Sequence, residues 1–249
     1  MKKLLMRAWR VYRERGIGYV LHAVHRDLVH WSKVDLPYNY YRIFKSRRLF
    51  VFQGRTYHYF YHRYNLTWTN ERSVEVPIVL RIVNDHSGKE ILEIGNVLSH
   101  YFPVKHDIVD KYEKAERVIQ EDVVDFKPAK SYDLIISIST LEHVGWDEDP
   151  NMPARILGEP SKILTALTVL KSSLAKKGLM VVTLPLGQNR ELDRLLREDK
   201  VQFSRRQCMR RISKDNRWVE VDWTECVSAK YGSPYPAANA LIILFIENK

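Results

Sequence analysis

Ile91-Leu92-Glu93-Ile94-Gly95 decides the fold: three aliphatic residues around one acid, stopped by a glycine. The short apolar run predicts a buried parallel strand. An acid and a glycine at its carboxyl edge suit a crevice where a ligand meets bare backbone and a hydrogen-bond acceptor. Working outward, the pattern repeats. His106-Asp107-Ile108-Val109-Asp110 ends in an acid 17 residues beyond Glu93, and the segment 117–122 ends in Glu121-Asp122, with Asp122 12 residues further on. Tyr132-Asp133-Leu134-Ile135-Ile136-Ser137-Ile138 then runs directly into Ser139-Thr140-Leu141-Glu142-His143-Val144. Strands alternating with connecting segments predict a mainly parallel sheet with right-handed crossovers.

Downstream, residues 160–176 read as a helix with Ile163, Leu164, Leu167, Leu170 and Leu174 on one face and Gly178 just beyond its end. Residues 179–184 read as a buried strand, 188–200 as an amphipathic helix, and 217–223 and 240–246 as the last two strands. Upstream, a basic helix over 1–15 is interrupted at Gly16-Ile17-Gly18. A second helix over 19–33 sets Leu21, Val24, Leu28 and Trp31 at three- and four-residue intervals. Pro37 with Tyr38, Tyr40 and Tyr41 opens a different regime. Residues 49–52 and 56–61 flank Gln53-Gly54-Arg55, a hairpin signal. Asn70 offers an N-cap to a helix running to Val83, in which Pro77 is tolerated only near the first turn. Residues 85–89, with Gly88, turn the chain into its first sheet strand.

A chain of 249 residues fits one α/β domain with an appendage. Two cysteines, Cys208 and Cys226, form no disulfide framework or zinc spacing and read as reduced thiols of an intracellular protein. No apolar run approaches the roughly 20 residues that span a bilayer, and the N-terminus lacks the pattern of a signal peptide. The net charge of +10 is concentrated. Residues 1–48 hold 12 Lys+Arg against 3 Asp+Glu, and the other 201 hold 28 against 27. A basic pI therefore says nothing of the sheet-forming body, and the question of a polyanionic partner belongs to residues 1–48. That segment reads first as a packing or partner-protein contact, second as a peripheral membrane contact and third as a nucleic-acid clamp.

The recurring strand-end acids, closed by YDLIISISTLEHV, resemble the class I S-adenosylmethionine-dependent methyltransferases from about Val74 to the C-terminus. The resemblance implies a Rossmann-like α/β fold: a seven-stranded, mostly parallel sheet closed by an antiparallel last strand. Residues 1–73 form a helical and β-hairpin extension, and 74–249 the cofactor domain. It further implies S-adenosyl-L-methionine as cofactor, held by Glu93, Gly95, Asn96, Asp110, Asp122 and Ser139. Asp110 takes the ribose diol and Asp122 the adenine amino group, with Glu121 and Asp125 as alternatives to Asp122. Glu142 and His143 are the candidate catalytic pair: His143 is either a general base or, with Glu142, a support of the loop beside the methionine pocket.

The glycine-rich loop of this family departs here, since Asn96-Val97-Leu98-Ser99 follows Gly95. The same stretch excludes the G-x-G-x-x-G dinucleotide fingerprint, and no Walker A loop is present. An Asn/Asp-Pro-Pro-aromatic signature after the fourth strand, a Pro-Cys nucleophile and an H-E-x-x-H zinc pattern are all missing. Asp147, Glu148 and Asp149 read as a solvated loop or helix start, so no metal is expected. Two stretches could face substrate, 67–72 as a lid and 231–236 as an aromatic turn. The reading is a cytoplasmic methyltransferase, peripheral at most to the inner membrane surface, acting on a small molecule, a sugar or a lipid-linked glycan intermediate. The alternatives are an RNA-modifying methyltransferase and a non-catalytic interaction module.

Overall fold

In this computed structural model, residues 2–145 and 161–248 are described, with side chains from Tyr12 in the first helix and from Lys162 in the fourth. Asp147, Glu148, Asp149 and Pro160 lie outside the described residues. Helix α1 (Lys2–His30) breaks at Gly16, whose φ of 79° is non-helical. A π-turn, Trp31–Asp35, leads into α2 (Leu36–Phe44). The expected change of regime at Pro37 does not occur. Proline in a first turn gives up an N–H that has no helical partner, so the helix continues to Phe44.

Strands β1 (Leu49–Phe52) and β2 (Arg55–His58) form the expected hairpin, turned through Gln53 and Gly54, both at positive φ. Phe50 and Phe52 are buried, and the Trp218 N–H donates to the hydroxyl of buried Tyr59 at 2.7 Å. The hairpin thereby seals one end of the main sheet. Helix α3 (Arg72–Asp85) begins where Asn70 Oδ1 accepts from the Arg72 N–H at 3.1 Å. Pro77 falls in its second turn, not the first. The Ser73 carbonyl that Pro77 cannot serve accepts instead from the Phe60 N–H at 2.9 Å, so the break ties the hairpin's exit to the helix.

The sheet then assembles. Strands β3 (Ile91–Ile94), β4 (Asp107–Asp110), β5 (Val118–Gln120), β6 (Tyr132–Ile138) and β7 (Leu174–Pro185) are parallel. Strands β8 (Arg205–Arg211), β9 (Trp218–Val221) and β10 (Ala240–Glu247) are antiparallel, and the full order is β5-β4-β3-β6-β7-β10-β8-β9. Helices α4 (Ser161–Ser172), α5 (Arg190–Arg197) and the short α6 (Trp223–Cys226) complete the chain. This is the expected mixed sheet with an antiparallel end and a helix-plus-hairpin extension. It has one strand more than expected: β8 separates β9 from β10, so segments 217–223 and 240–246 are not paired with each other.

Alternation along β6 explains why both sides of the sheet are apolar. Ile135 packs with Leu92, Met180, Ile242 and Leu170 of α4, while Leu134 and Ile136 pack with Val74, Val79, Phe50 and Ile243. A strand covered on both faces reads as an unbroken hydrophobic run. Helix α4 stops at Ser172, so Leu174 opens β7 and does not extend the helix. Gly178 lies within that strand, where a Cβ would stand 2.8 Å from Ala175 O and 2.9 Å from Tyr132 O. Helix α5 is shorter than the expected 188–200 because Asn189 caps it, accepting from the Glu191 and Leu192 N–H groups.

Candidate active site

At the carboxyl edge of β3, β4 and β6, where the strand order reverses, lies a cleft of about 460 Å³. Its floor is Gly95. The residue sits at φ 81°, donates its N–H to Val109 O at 2.8 Å, and has no room for a side chain: a Cβ would lie 2.6 Å from Thr140 Cγ2. In the described structure the glycine is required by Thr140 and by backbone conformation.

The loop after Gly95 is held from beneath. Glu93 is fully buried, and its Oε1 accepts from the Val97 and Leu98 N–H groups at 2.9 and 2.8 Å. Its Oε2 lies 2.6 Å from His106 Nε2. Both oxygens are committed to the protein, and Glu93 is not among the residues lining the cleft. It performs for Asn96-Val97-Leu98-Ser99 the anchoring that a glycine-rich turn would not need. Asn96 does line the cleft, with Ser99 Oγ donating to its Oδ1.

Asp110 stands at the end of β4 on the cleft wall. Its Oδ1 accepts from the Tyr112 and Glu113 N–H groups at 2.9 and 2.8 Å, and its Oδ2 from the Asn96 N–H at 3.1 Å. A carboxylate has about four acceptor positions, so one remains on Oδ2 for a ligand. Asp122 and Glu121 also line the cleft whereas Asp125 does not. Asp122 Oδ2 lies 3.2 Å from Lys111 Nζ, a cation at the same mouth. Tyr64, stacked on His100 at 4.3 Å between ring centroids, closes the opposite side.

Ser139 is not on the wall; its neighbour Thr140 is. Ser139 is buried with φ 41°, and its Oγ donates to Glu75 Oε2 at 2.8 Å. That fully buried carboxylate also accepts from Thr183 Oγ1 at 2.9 Å and from Arg72 Nη1 at 2.7 Å. Arg72 in turn donates to Ile138 O at 2.8 Å and reaches the cleft. Desolvation works against its charge, yet Glu75 and Glu71 hold its pKa above the ordinary value. Sequence reasoning had Arg72 only as the end of the substrate-facing stretch 67–72 and gave it no individual role. The available signal was a cation in the first turn of a helix, where the macrodipole favours acids.

His143 lines the cleft and is about half exposed, its Nε2 3.3 Å from Gln188 Nε2 and 3.9 Å from Glu142 Oε1. Glu142 is buried, and neither of its oxygens has a hydrogen-bond partner. Burial pushes its pKa well above the usual carboxylate range, with Glu75 and Glu71 adding to the effect and Arg72 opposing it. A raised folded-state pKa means the folded protein keeps a proton that the unfolded chain loses, so stability falls as pH rises through that window. Glu142→Gln, which is neutral throughout, should match the wild-type thermal midpoint at acid pH and exceed it increasingly as the pH rises above the ordinary carboxylate range. Thermal melts across pH check this; a difference independent of pH would contradict it.

Of the two substrate-facing stretches, 67–72 contributes Arg72 to the cleft, while Thr67 and Trp68 are buried. The aromatic turn 231–236 lies elsewhere: Tyr235 lines a separate hollow with Arg210 and Arg211. Among the described residues no group of His, Cys, Asp and Glu is arranged to hold a metal, and no helix is long and apolar enough to cross a membrane.

No protein-family model matches the chain, and no curated protein matches its sequence. Solved structures to which it is similar include the N-methyltransferase NodS from Bradyrhizobium japonicum in complex with S-adenosyl-L-homocysteine. That pair has a TM-score of 0.43 and 14% identity, covering 69% of this chain and 84% of that one. A possible histamine N-methyltransferase from Thermotoga maritima has a TM-score of 0.38 and 16% identity, over 68% of this chain and 87% of that one. The sugar N-methyltransferase KedS8 from a Streptoalloteichus species has a TM-score of 0.35 and 11% identity, over 70% and 87%.

Proposed function

We propose that the chain is an S-adenosylmethionine-dependent methyltransferase whose acceptor is a small molecule, a sugar or a lipid-linked glycan intermediate. The observation that carries this reading is convergence: Gly95, Asn96, Asp110, Asp122 and Arg72 come from four separate segments to one cleft at the topological switch point. The free acceptor position of Asp110 suits one ribose hydroxyl, with the second hydroxyl reaching solvent or Glu113. Asp122 suits the adenine amino group, between the apolar walls of Val109 and Val123. Arg72 suits the methionine carboxylate, a charge-assisted contact. The sulfonium arrives already activated, so the protein's task is to align an acceptor oxygen or nitrogen behind the methyl group and exclude water. His143 stands at the opening, where it can take the acceptor's proton.

Arg72→Met tests the orientation. It should weaken S-adenosylhomocysteine binding about tenfold or more, as expected for a lost hydrogen bond to a charged group. Binding of 5′-methylthioadenosine, which has no carboxylate, should be unchanged. Titration calorimetry with both ligands reads the difference; equal losses for the two would remove Arg72 from the methionine end.

A further inference from the structure

No described residue from Tyr12 to Phe44 is buried, although the segment is rich in aliphatic and aromatic side chains. Ile17, Leu21, Val24 and Leu28 of α1 and Trp31 at the start of the π-turn follow one another at four- and three-residue steps, which places them on one face. They are 60, 62, 51, 59 and 52% exposed. An uninterrupted α-helix would turn the next apolar residues away from that face. The π-turn at Trp31–Asp35 takes up one residue more than an α-turn, so the five-residue step from Trp31 to Leu36 keeps the face in phase. Leu36, Tyr40 and Ile43, all exposed, then continue it along α2. The result is one uncovered apolar stripe of 27 residues, about 40 Å long at the helical rise.

The charges around the stripe are one-sided. Residues 1–48 carry 12 Lys+Arg against 3 Asp+Glu. Two of those acids are matched by cations, Asp27 by Arg26 at 3.3 Å and Asp35 by Arg63 at 3.1 Å. Arg26 and Lys33 lie on the side of the helix opposite the stripe. A second copy of the chain would cover the apolar face but would bring two strongly basic segments together. A nucleic acid would match the charge and leave the stripe in water. An anionic bilayer surface satisfies both, since apolar side chains and the rings of Trp31 and Tyr40 enter the headgroup boundary while the cations concentrated in sequence before Ile17 and after Tyr40 meet the lipid charge at the two ends of the stripe.

We propose that α1 and α2 form a peripheral docking element that lies along an anionic lipid surface with this stripe facing the bilayer. Docking needs no cofactor and is therefore tested apart from catalysis. The full-length protein is sedimented with vesicles of phosphatidylcholine alone and of phosphatidylcholine with phosphatidylglycerol in equal parts. The expected result is binding to the anionic vesicles, weakening as salt is added, with little on neutral ones. The double variant Leu21→Asp/Leu28→Asp alters only exposed positions and should lower that affinity by about tenfold or more with an unchanged circular dichroism spectrum. Absence of vesicle binding, or equal binding to both vesicle types, would overturn the proposal. So would a dimer in sedimentation velocity that the same double variant converts to monomer without any effect on vesicle binding.

Discussion

Gly95→Ala is expected to destabilise the protein by about 2–5 kcal/mol and to abolish ligand binding at the cleft. A side chain at φ 81° costs about 1–2 kcal/mol through its own backbone. Its Cβ would also meet Thr140, most closely at Oγ1 and then at 2.6 Å from Cγ2 and 2.9 Å from Cβ, an overpacking typically worth about 1–3 kcal/mol. Thr140 cannot readily turn aside, because its Oγ1 donates to Ile138 O at 3.1 Å. Urea denaturation should show a lower midpoint with an unchanged slope. Thr140→Ala, which removes both Oγ1 and Cγ2, should recover part of the loss in the double variant. A Gly95→Ala protein with wild-type stability would mean that the β3 exit does not have this conformation.

Asp110→Ala is the second large effect, a loss of cofactor affinity of about a hundredfold or more. The carboxylate gives the ligand an acceptor, and it also pins three N–H groups on both sides of the cleft, those of Asn96, Tyr112 and Glu113. Removing it releases the loop after β3 and the turn after β4 together. Asp122→Ala, by contrast, touches a side chain at the cleft mouth whose partner Lys111 is itself more than a third exposed, and should cost about tenfold or less. Calorimetric titration of the two variants side by side reads the ratio, and an equal effect would remove Asp110 from its place as the principal contact.

The parallel strands were legible because burial on both faces leaves a simple trace, unbroken aliphatic runs such as Leu134-Ile135-Ile136. Strand β8 left none. Arg-Arg-Gln-Cys-Met-Arg-Arg over 205–211 carries four arginines, and only Cys208, Met209 and Arg211 are buried. Arg211 explains how such a sequence enters a sheet. Its guanidinium donates to the carbonyls of Thr69, Ser213, Lys214 and Pro236, so a charge that composition assigns to solvent ties the strand to the loops around it.

The same divide runs through the site. Asp110 and Asp122 could be located from sequence because strand-end acids mark a crevice wherever the strands lie. Glu93 was placed at the right strand end, but its use beneath the loop depends on His106 and on the fold of Val97 and Leu98. The Glu75–Ser139–Thr183–Arg72 network joins positions as much as 108 residues apart, and no local pattern encodes it. Position in the strand was a local property, whereas hydrogen-bond partnership was not.

The most direct test of the central claim is calorimetric titration of the intact protein with S-adenosylhomocysteine, followed by the same titration of Asp110→Ala. Saturable binding at one site per chain, lost in the variant, is the predicted result. No heat at millimolar ligand, or binding that Asp110→Ala leaves untouched, would contradict the assignment of this cleft.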